Sequence, residues 1–318
     1  MINILILAVG FIALIFGAHK LVDASSSLAS RMGIPNIVIG LTIVAFGTSA
    51  PELVVNLFAS INNNTEIVLG NVLGSNIFNV LGILGIASII YPLSVKTNTT
   101  WLEIPLSLLA AVSVIIIAND IYLDNSSANY ISRTDGLILL LFFSIFLVYN
   151  LKTAQSSSND EEIETKSYTY LKSIVFIILG LLGLTMGGRL IVTSAVNIAQ
   201  SFGLSERIVG LTIVSIGTSL PELATSIVAV RKKNVDIAIG TVVGSNIFNI
   251  FFILGISTIV TPLKVNPNSF FDIAVNIISS LLLFVFIFTG KRRKLERWEG
   301  ILLLILYLSY LVMLVSQR

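Results

Sequence analysis

"GTSAPEL" occupies residues 47–53, inside the apolar stretch "NIVIGLTIVAFGTSAPELVVNLFASI" (36–61). Two of its residues are out of place in a membrane-length hydrophobic run. An acid at the centre of a membrane helix costs roughly 2.5–3.5 kcal/mol on insertion scales. Pro51 has no backbone N–H to give, and its ring clashes with the carbonyl four residues earlier, that of Gly47. The chain does the same thing again at 217–223, "GTSLPEL". When the sequence is shifted by 170 residues, 40–95 falls on 210–265 without a gap and 30 of the 56 pairs are identical. "GSNIFN" at 74–79 meets "GSNIFN" at 244–249, and Pro92 meets Pro262. An internal repeat of this length sets the architecture before any single residue is interpreted.

The 318 residues are 55% hydrophobic and 11% charged, against about 25% charged in a soluble domain. Apolar runs long enough to cross a bilayer recur from end to end. The composition therefore predicts an all-α polytopic membrane protein, with spans at 3–22, 35–61, 66–90, 101–118 and 135–151, then 170–200, 206–230, 236–260, 269–289 and 299–315. "MINILILAVGFIALIFG" reads as the first span, since it lacks a basic n-region and a cleavage site. The ten spans divide into a five-helix repeat at 1–151, a linker at 152–168 and a second five-helix repeat at 169–318. The repeated motifs lie at 40–82 and 210–252. Five is odd, so the second copy enters the membrane inverted. With the N-terminus outside, fourteen of the 19 Lys and Arg fall on the inner side, as the positive-inside rule requires. Both termini are then outside and the 152–168 loop cytoplasmic. There is no cysteine, which excludes disulfides and thiol chemistry.

Inverted repeats with interrupted helices are the signature of a secondary transporter. Carbonyls freed near Pro51, at Ala45, Phe46 and Gly47, suit hard cations and survive in a membrane only where they line a site. Glycine at 47 is expected to absorb the bend. Thr48 and Glu52, four apart, share a helix face; Ser75 and Asn79, also four apart, share one on the following helix; and Ser215, Thr218, Glu222, Ser245 and Asn249 repeat the set. Gly70, Gly74 and Gly82 form a small-residue stripe that lets backbones approach. Two carboxylates at mid-membrane need a divalent cation or two monovalent ones. Asn76 and Asn246, beside the serines, read as residues that cap or bridge helices. His19 reads as interfacial, the acidic run Asp160, Glu161 and Glu162 as solvated loop, and "RKK" (231–233) and "KRRK" (291–294) as topology signals. A channel would use carboxylate rings. An intramembrane protease would need a base, and the lone imidazole of His19 is far from the motif.

The pair "GTSAPE…GNVLGSNIFN" and "GTSLPE…GTVVGSNIFN" resembles the α-repeats of the cation/calcium exchanger superfamily, in its prokaryotic sodium/calcium exchanger branch. The resemblance implies alternating access, with Ca²⁺ exported against entering Na⁺. It makes Glu52 and Glu222 the central Ca²⁺ carboxylates, with oxygens from Thr48 and Thr218. It gives Ser75 and Ser245 to flanking Na⁺ sites with the carbonyls of Ala45 and Ser215, sets Ser49 and Ser219 beside them, and lines the middle with Asn79 and Asn249. Potassium-dependent branches carry an acid at the position of Asn249; asparagine here argues against K⁺. A proton/calcium antiporter is the alternative, though such members have Gly-Asn where this chain has Gly-Thr-Ser before the acid. The expected partners are Ca²⁺, Na⁺ and the lipid bilayer, with no cofactor, no nucleic acid and no obligate protein partner.

Overall fold

The computed structural model describes residues 2–123, 125–155, 167–201, 215–289 and 293–316. The first part of the 206–230 span, the acidic run 160–162 and most of the 152–168 loop lie outside them. Helix α1 spans Ile2–Met32. Next come α2 (Asn36–Thr48) and α3 (Ala50–Ile61), which meet at a bend of 46°. They are followed by α4 (Thr65–Ile90), α5 (Thr99–Ile117) and α6 (Arg133–Gln155). The second half has α7 (Tyr170–Ser201), α8 (Ser215–Thr218), α9 (Leu220–Arg231), α10 (Val235–Val260), α11 (Ser269–Thr289) and α12 (Arg297–Ser316). Among the described residues, eight of these helices are long and apolar enough to cross a membrane, and the bent pair α2–α3 makes a ninth.

One expectation fails at the first helix. It runs ten residues beyond Val22, because the polar segment that looked like its end is buried: Ser25, Ser26 and Ser27 are all covered, and Ser27 Oγ accepts from the Tyr168 backbone N–H at 2.8 Å. The helix stops at Gly33, whose φ of 63° is the left-handed conformation glycine adopts without penalty.

Helices α1 and α7 pack antiparallel along glycines. A Cβ at Gly17 would stand 2.7 Å from the Gly180 carbonyl oxygen, and one at Gly10 3.0 Å from that of Gly187. In lipid there is little hydrophobic drive between helices, so close backbone approach supplies the attraction instead. The most deeply placed helix is α10, whose residues Val235–Ile247 are all buried but for Asp236. The outer helices turn Ile4, Ile12, Leu141, Ile145, Leu171, Ile301 and Val312 outward, the surface expected against acyl chains.

Contacts recur with the halves exchanged. A Cβ on Gly85 would meet the Gly300 carbonyl at 3.1 Å, and one on Gly136 would meet the Gly255 carbonyl at 2.6 Å. Two antiparallel strand pairs follow the same rule. Strand β1 (Leu93–Ser94) pairs β4 (Lys294–Leu295), and β2 (Tyr130–Ile131) pairs β3 (Leu263–Lys264). The glycine stripe is the exception. Gly244 meets Leu41 and Ala45, and Gly240 meets Gly40, but nothing lies within 4 Å of a Cβ on Gly70, and Gly82 faces the Phe78 ring. Among the described residues, α10 makes the close approach at Gly240 and Gly244, and α4 does not make it at Gly70 or Gly82.

Candidate functional site

The bend falls at Ser49 (φ −84°, ψ 6°), a conformation open to any residue. Glycine at 47 makes room rather than the bend: a Cβ there would stand 2.4 Å from Leu181 Cδ2, which would have to shift, and one on its counterpart Gly217 would stand 2.1 Å from Val192 Cγ2. Nor is the Ala45 carbonyl left without partners. It accepts the Ser49 N–H at 3.0 Å and the Thr48 hydroxyl at 3.3 Å. Pro51 still has an effect, because it starts α3 at a first-turn position where its missing N–H costs nothing. That places Glu52 in the first turn, at the positive end of the helix; Pro221 and Glu222 do the same in α9.

The two motifs meet. Ser49 Oγ lies 2.9 Å from Glu222 Oε1 and 2.9 Å from Ser245 Oγ, while Ser219 Oγ donates to Glu52 Oε1 at 3.1 Å. Each half thus supplies the hydroxyl that holds the carboxylate of the other. Glu52, Glu222, Ser49, Ser219, Ser75, Ser245, Asn79, Asn249, Thr48 and Ala45 are all buried. Thr218 is half-buried, with its hydroxyl 3.4 Å from Asn71 Oδ1. Ser215 heads α8; its side chain is outside the described set.

Asn76 and Asn246 bridge the halves. Asn79 Nδ2 donates to Asn246 Oδ1 at 2.9 Å, and Asn249 Nδ2 to Asn76 Oδ1 at 3.0 Å. Asn76 Nδ2 donates across to the Asn246 carbonyl at 3.1 Å, and Asn246 Nδ2 to the Asn76 carbonyl at 3.4 Å. These bonds engage the amide nitrogens and leave the oxygens of Asn79 and Asn249 over. Both asparagines sit at the start of π-helical segments, Phe78–Leu84 and Phe248–Leu254. Such wide turns re-aim the side chains of a helix and occur mostly at functional sites. Two residues that the sequence reading did not place in the site join it. Asn71 holds Thr218, and Asn56 donates to the Glu52 carbonyl at 2.7 Å. Their counterparts in the other half are Thr241 and Ser226, so the repeat did not flag them.

The unused atoms are informative. Glu52 Oε2, Glu222 Oε2, Ser75 Oγ, Asn79 Oδ1 and Asn249 Oδ1 are buried with no hydrogen-bond partner. Buried polar atoms are normally satisfied, and unpartnered ones cost about 1–3 kcal/mol each. All five are oxygens, two of them on carboxylates. This set fits a hard cation and suits an anion poorly.

A sequence model of the family described as "Sodium/calcium exchanger protein" matches residues 2–152 and 172–316. The chain is 35% identical over 320 residues to "Putative antiporter CaxA" of Alkalimonas amylolytica, covering 97% of each. It is 33% identical over 346 residues to "Sodium/calcium exchanger MaX1" of Methanosarcina acetivorans, covering 98% of each. The solved structure of the sodium-calcium exchanger NCX_Mj soaked with 10 mM Na⁺ and zero Ca²⁺ superposes with a TM-score of 0.83 at 32% identity, over 99% of both chains. Matches that run through both halves and both copies of the motif place the chain in a family: it is a member of the sodium/calcium exchanger proteins.

Proposed function

We propose that the protein is a secondary antiporter that exports Ca²⁺ against entering Na⁺ by alternating access. The unpartnered buried oxygens around two carboxylates carry this reading. Glu52 and Glu222 supply the two charges that balance Ca²⁺. Thr48, Thr218, Asn79 and Asn249 complete its coordination. Ser75 and Ser245, with the carbonyls of Ala45 and Ser215, serve Na⁺, and Ser49 and Ser219 hold the carboxylates. The Ala45 carbonyl, already accepting two hydrogen bonds, must release one of them to take an ion. Exchange follows from charge: two carboxylates cannot neutralise Ca²⁺ and a set of Na⁺ at once. Neutral oxygens are of little use to a proton but complete the shell of a bare Na⁺.

The test of the driver is Ca²⁺ uptake into proteoliposomes loaded with Na⁺, against vesicles with only an acid interior. Uptake is expected with the Na⁺ gradient alone. Uptake driven by the proton gradient without Na⁺, and indifferent to added Na⁺, would replace this reading with a proton/calcium antiporter, for which carboxylates suffice.

The same reading has ten membrane helices in two inverted five-helix repeats, in the cell (inner) membrane, with both termini outside and the 152–168 loop cytoplasmic. The contacts that recur with the halves exchanged support it. A cysteine at Ser157 is expected to resist an impermeant thiol reagent in intact cells, and one at Ser316 to react. The reverse pattern would overturn the orientation.

A further inference from the structure

The 170-residue repeat gives contacts at one end of the molecule counterparts at the other. Differences between counterparts therefore isolate what distinguishes the two ends. The turn after α3 reads "INNN" (61–64) and the turn after α9 reads "RKKN" (231–234). Both turns have the same backbone, with Asn63 and Lys233 at φ 59°. Their side chains do different things.

Lys232 reaches back to α1 and pairs with Asp23 at 2.5 Å. Asn234 Nδ2 donates to Ser26 Oγ at 2.9 Å, while its Oδ1 caps α10 by accepting from the Ile237 N–H. The counterparts of Asp23 and Lys232 are Thr193 and Asn62, which carry no charge and cannot form an ion pair. Asn62 bonds its own helix, at the Phe58 carbonyl, and the Asn64 side chain leaves its helix uncapped.

The helices beyond these turns differ in the same sense. Ile237 is fully covered, with a Cβ on Gly40 only 3.2 Å from its carbonyl oxygen. The counterpart Ile67 is 51% exposed. The end that carries the ion pair is covered by Gly40, whose counterpart Gly210 lies outside the described residues. Another cross-half contact does not follow this pattern. Lys96 pairs with Asp236 at 2.9 Å, and its counterpart Asn266 still meets Glu66 at 3.1 Å. A contact is kept at both ends there, an ion pair at one and an amide–carboxylate hydrogen bond at the other, so the contact itself belongs to the frame.

We infer that Asp23–Lys232, with Ser26–Asn234, is a latch that holds α1 against the α9–α10 turn and keeps that end of the carrier shut. The inference rests on the alternating-access reading above, but its test does not depend on transport. The latch also explains the placement of charge. Arg231 and Lys233 serve orientation, whereas Lys232 is turned inward to an acid on the helix that must move. One partly exposed ion pair suits a latch that has to open in every cycle, since such pairs are weak.

The protein has no cysteine, so single cysteines at the counterpart positions Ile67 and Ile237 report the two ends separately. In purified, ion-free protein, a thiol reagent should label Ile67→Cys quickly and Ile237→Cys slowly. Adding Lys232→Gln or Asp23→Asn should raise the Ile237→Cys rate by roughly two- to fivefold, the range such ion pairs support, and lower the Ile67→Cys rate. The charge-swapped Asp23→Lys/Lys232→Asp pair should restore both. Unchanged rates would overturn the latch. So would a rise at both positions, because that is loosening and not a shift between states. If the same variants label as expected while the parent protein moves no Ca²⁺ against Na⁺, the latch stands and the transport reading fails.

Discussion

Glu52→Gln and Glu222→Gln are each expected to reduce Ca²⁺ flux in proteoliposomes by about two orders of magnitude or more. Truncating one partner of a buried charge pair costs roughly 2–5 kcal/mol, and every 1.4 kcal/mol is about tenfold. The change is close to isosteric, and in Glu52→Gln the new amide oxygen can still accept from Ser219, so the fold should survive. The two carboxylates, each buried and each with an unpartnered oxygen, strain the ion-free protein. Removing one charge should therefore raise the unfolding temperature in chelator and abolish the further rise that Ca²⁺ gives the parent protein. A ligand that binds only the folded state stabilises it by mass action. Near-normal flux in either variant, or undiminished stabilisation by Ca²⁺, would remove that glutamate from the ion site.

Asn249→Asp is expected to tighten Ca²⁺ binding about tenfold and to slow turnover. Charge-assisted contacts are roughly twice as strong as neutral ones, and a third carboxylate would hold the ion past the point of release. The substitution has a second effect that the structure makes visible. Asn249 Nδ2 donates to Asn76 Oδ1, so aspartate sets two acceptors against each other there. Adding Asn76→Asp should worsen the effect, whereas a residue at 76 able to donate should relieve it. Titration calorimetry reads the affinity, and initial rates at saturating Ca²⁺ read the turnover. If both parameters are unchanged, Asn249 does not face the ion.

The carboxylates, serines, threonines and amides of the motif were legible because the repeat states them twice, and a polar residue duplicated within apolar sequence has few structural explanations. Asn71 and Asn56 are stated once, so nothing marked them. Asn76 and Asn246 were visible as a pair, but their work depends on a bond across the halves that no spacing along one chain encodes. The wide turns at Phe78 and Phe248 leave the hydropathy pattern unchanged, and a two-residue strand is too short to have a period. The reading of Gly47 failed because glycine serves equally for conformation and for room, and only Leu181, far off in sequence, shows which applies. The end of α1 was misjudged because its serines are polar in composition yet buried by partners from 168 and 234.

The two strand pairs bear on how the two halves of the sequence match each other. Leu93 and Leu263 stand 170 residues apart, and Tyr130 and Lys294 stand 164 apart, so β3 is the duplicate of β1 and β4 the duplicate of β2. Each pairing therefore joins a β1-type strand to a β2-type strand from the other half. Each half of the sequence carries one strand of each type. Two copies of that half, one upside down, would offer each other both complements and close a self-complementary twofold interface. On the proposed inverted-repeat reading, the chain carries on one polypeptide the strand pairing of an antiparallel homodimer. Because one polypeptide carries both copies, counterpart positions need not match, and Asn62 and Lys232, or Thr193 and Asp23, differ between the two sides.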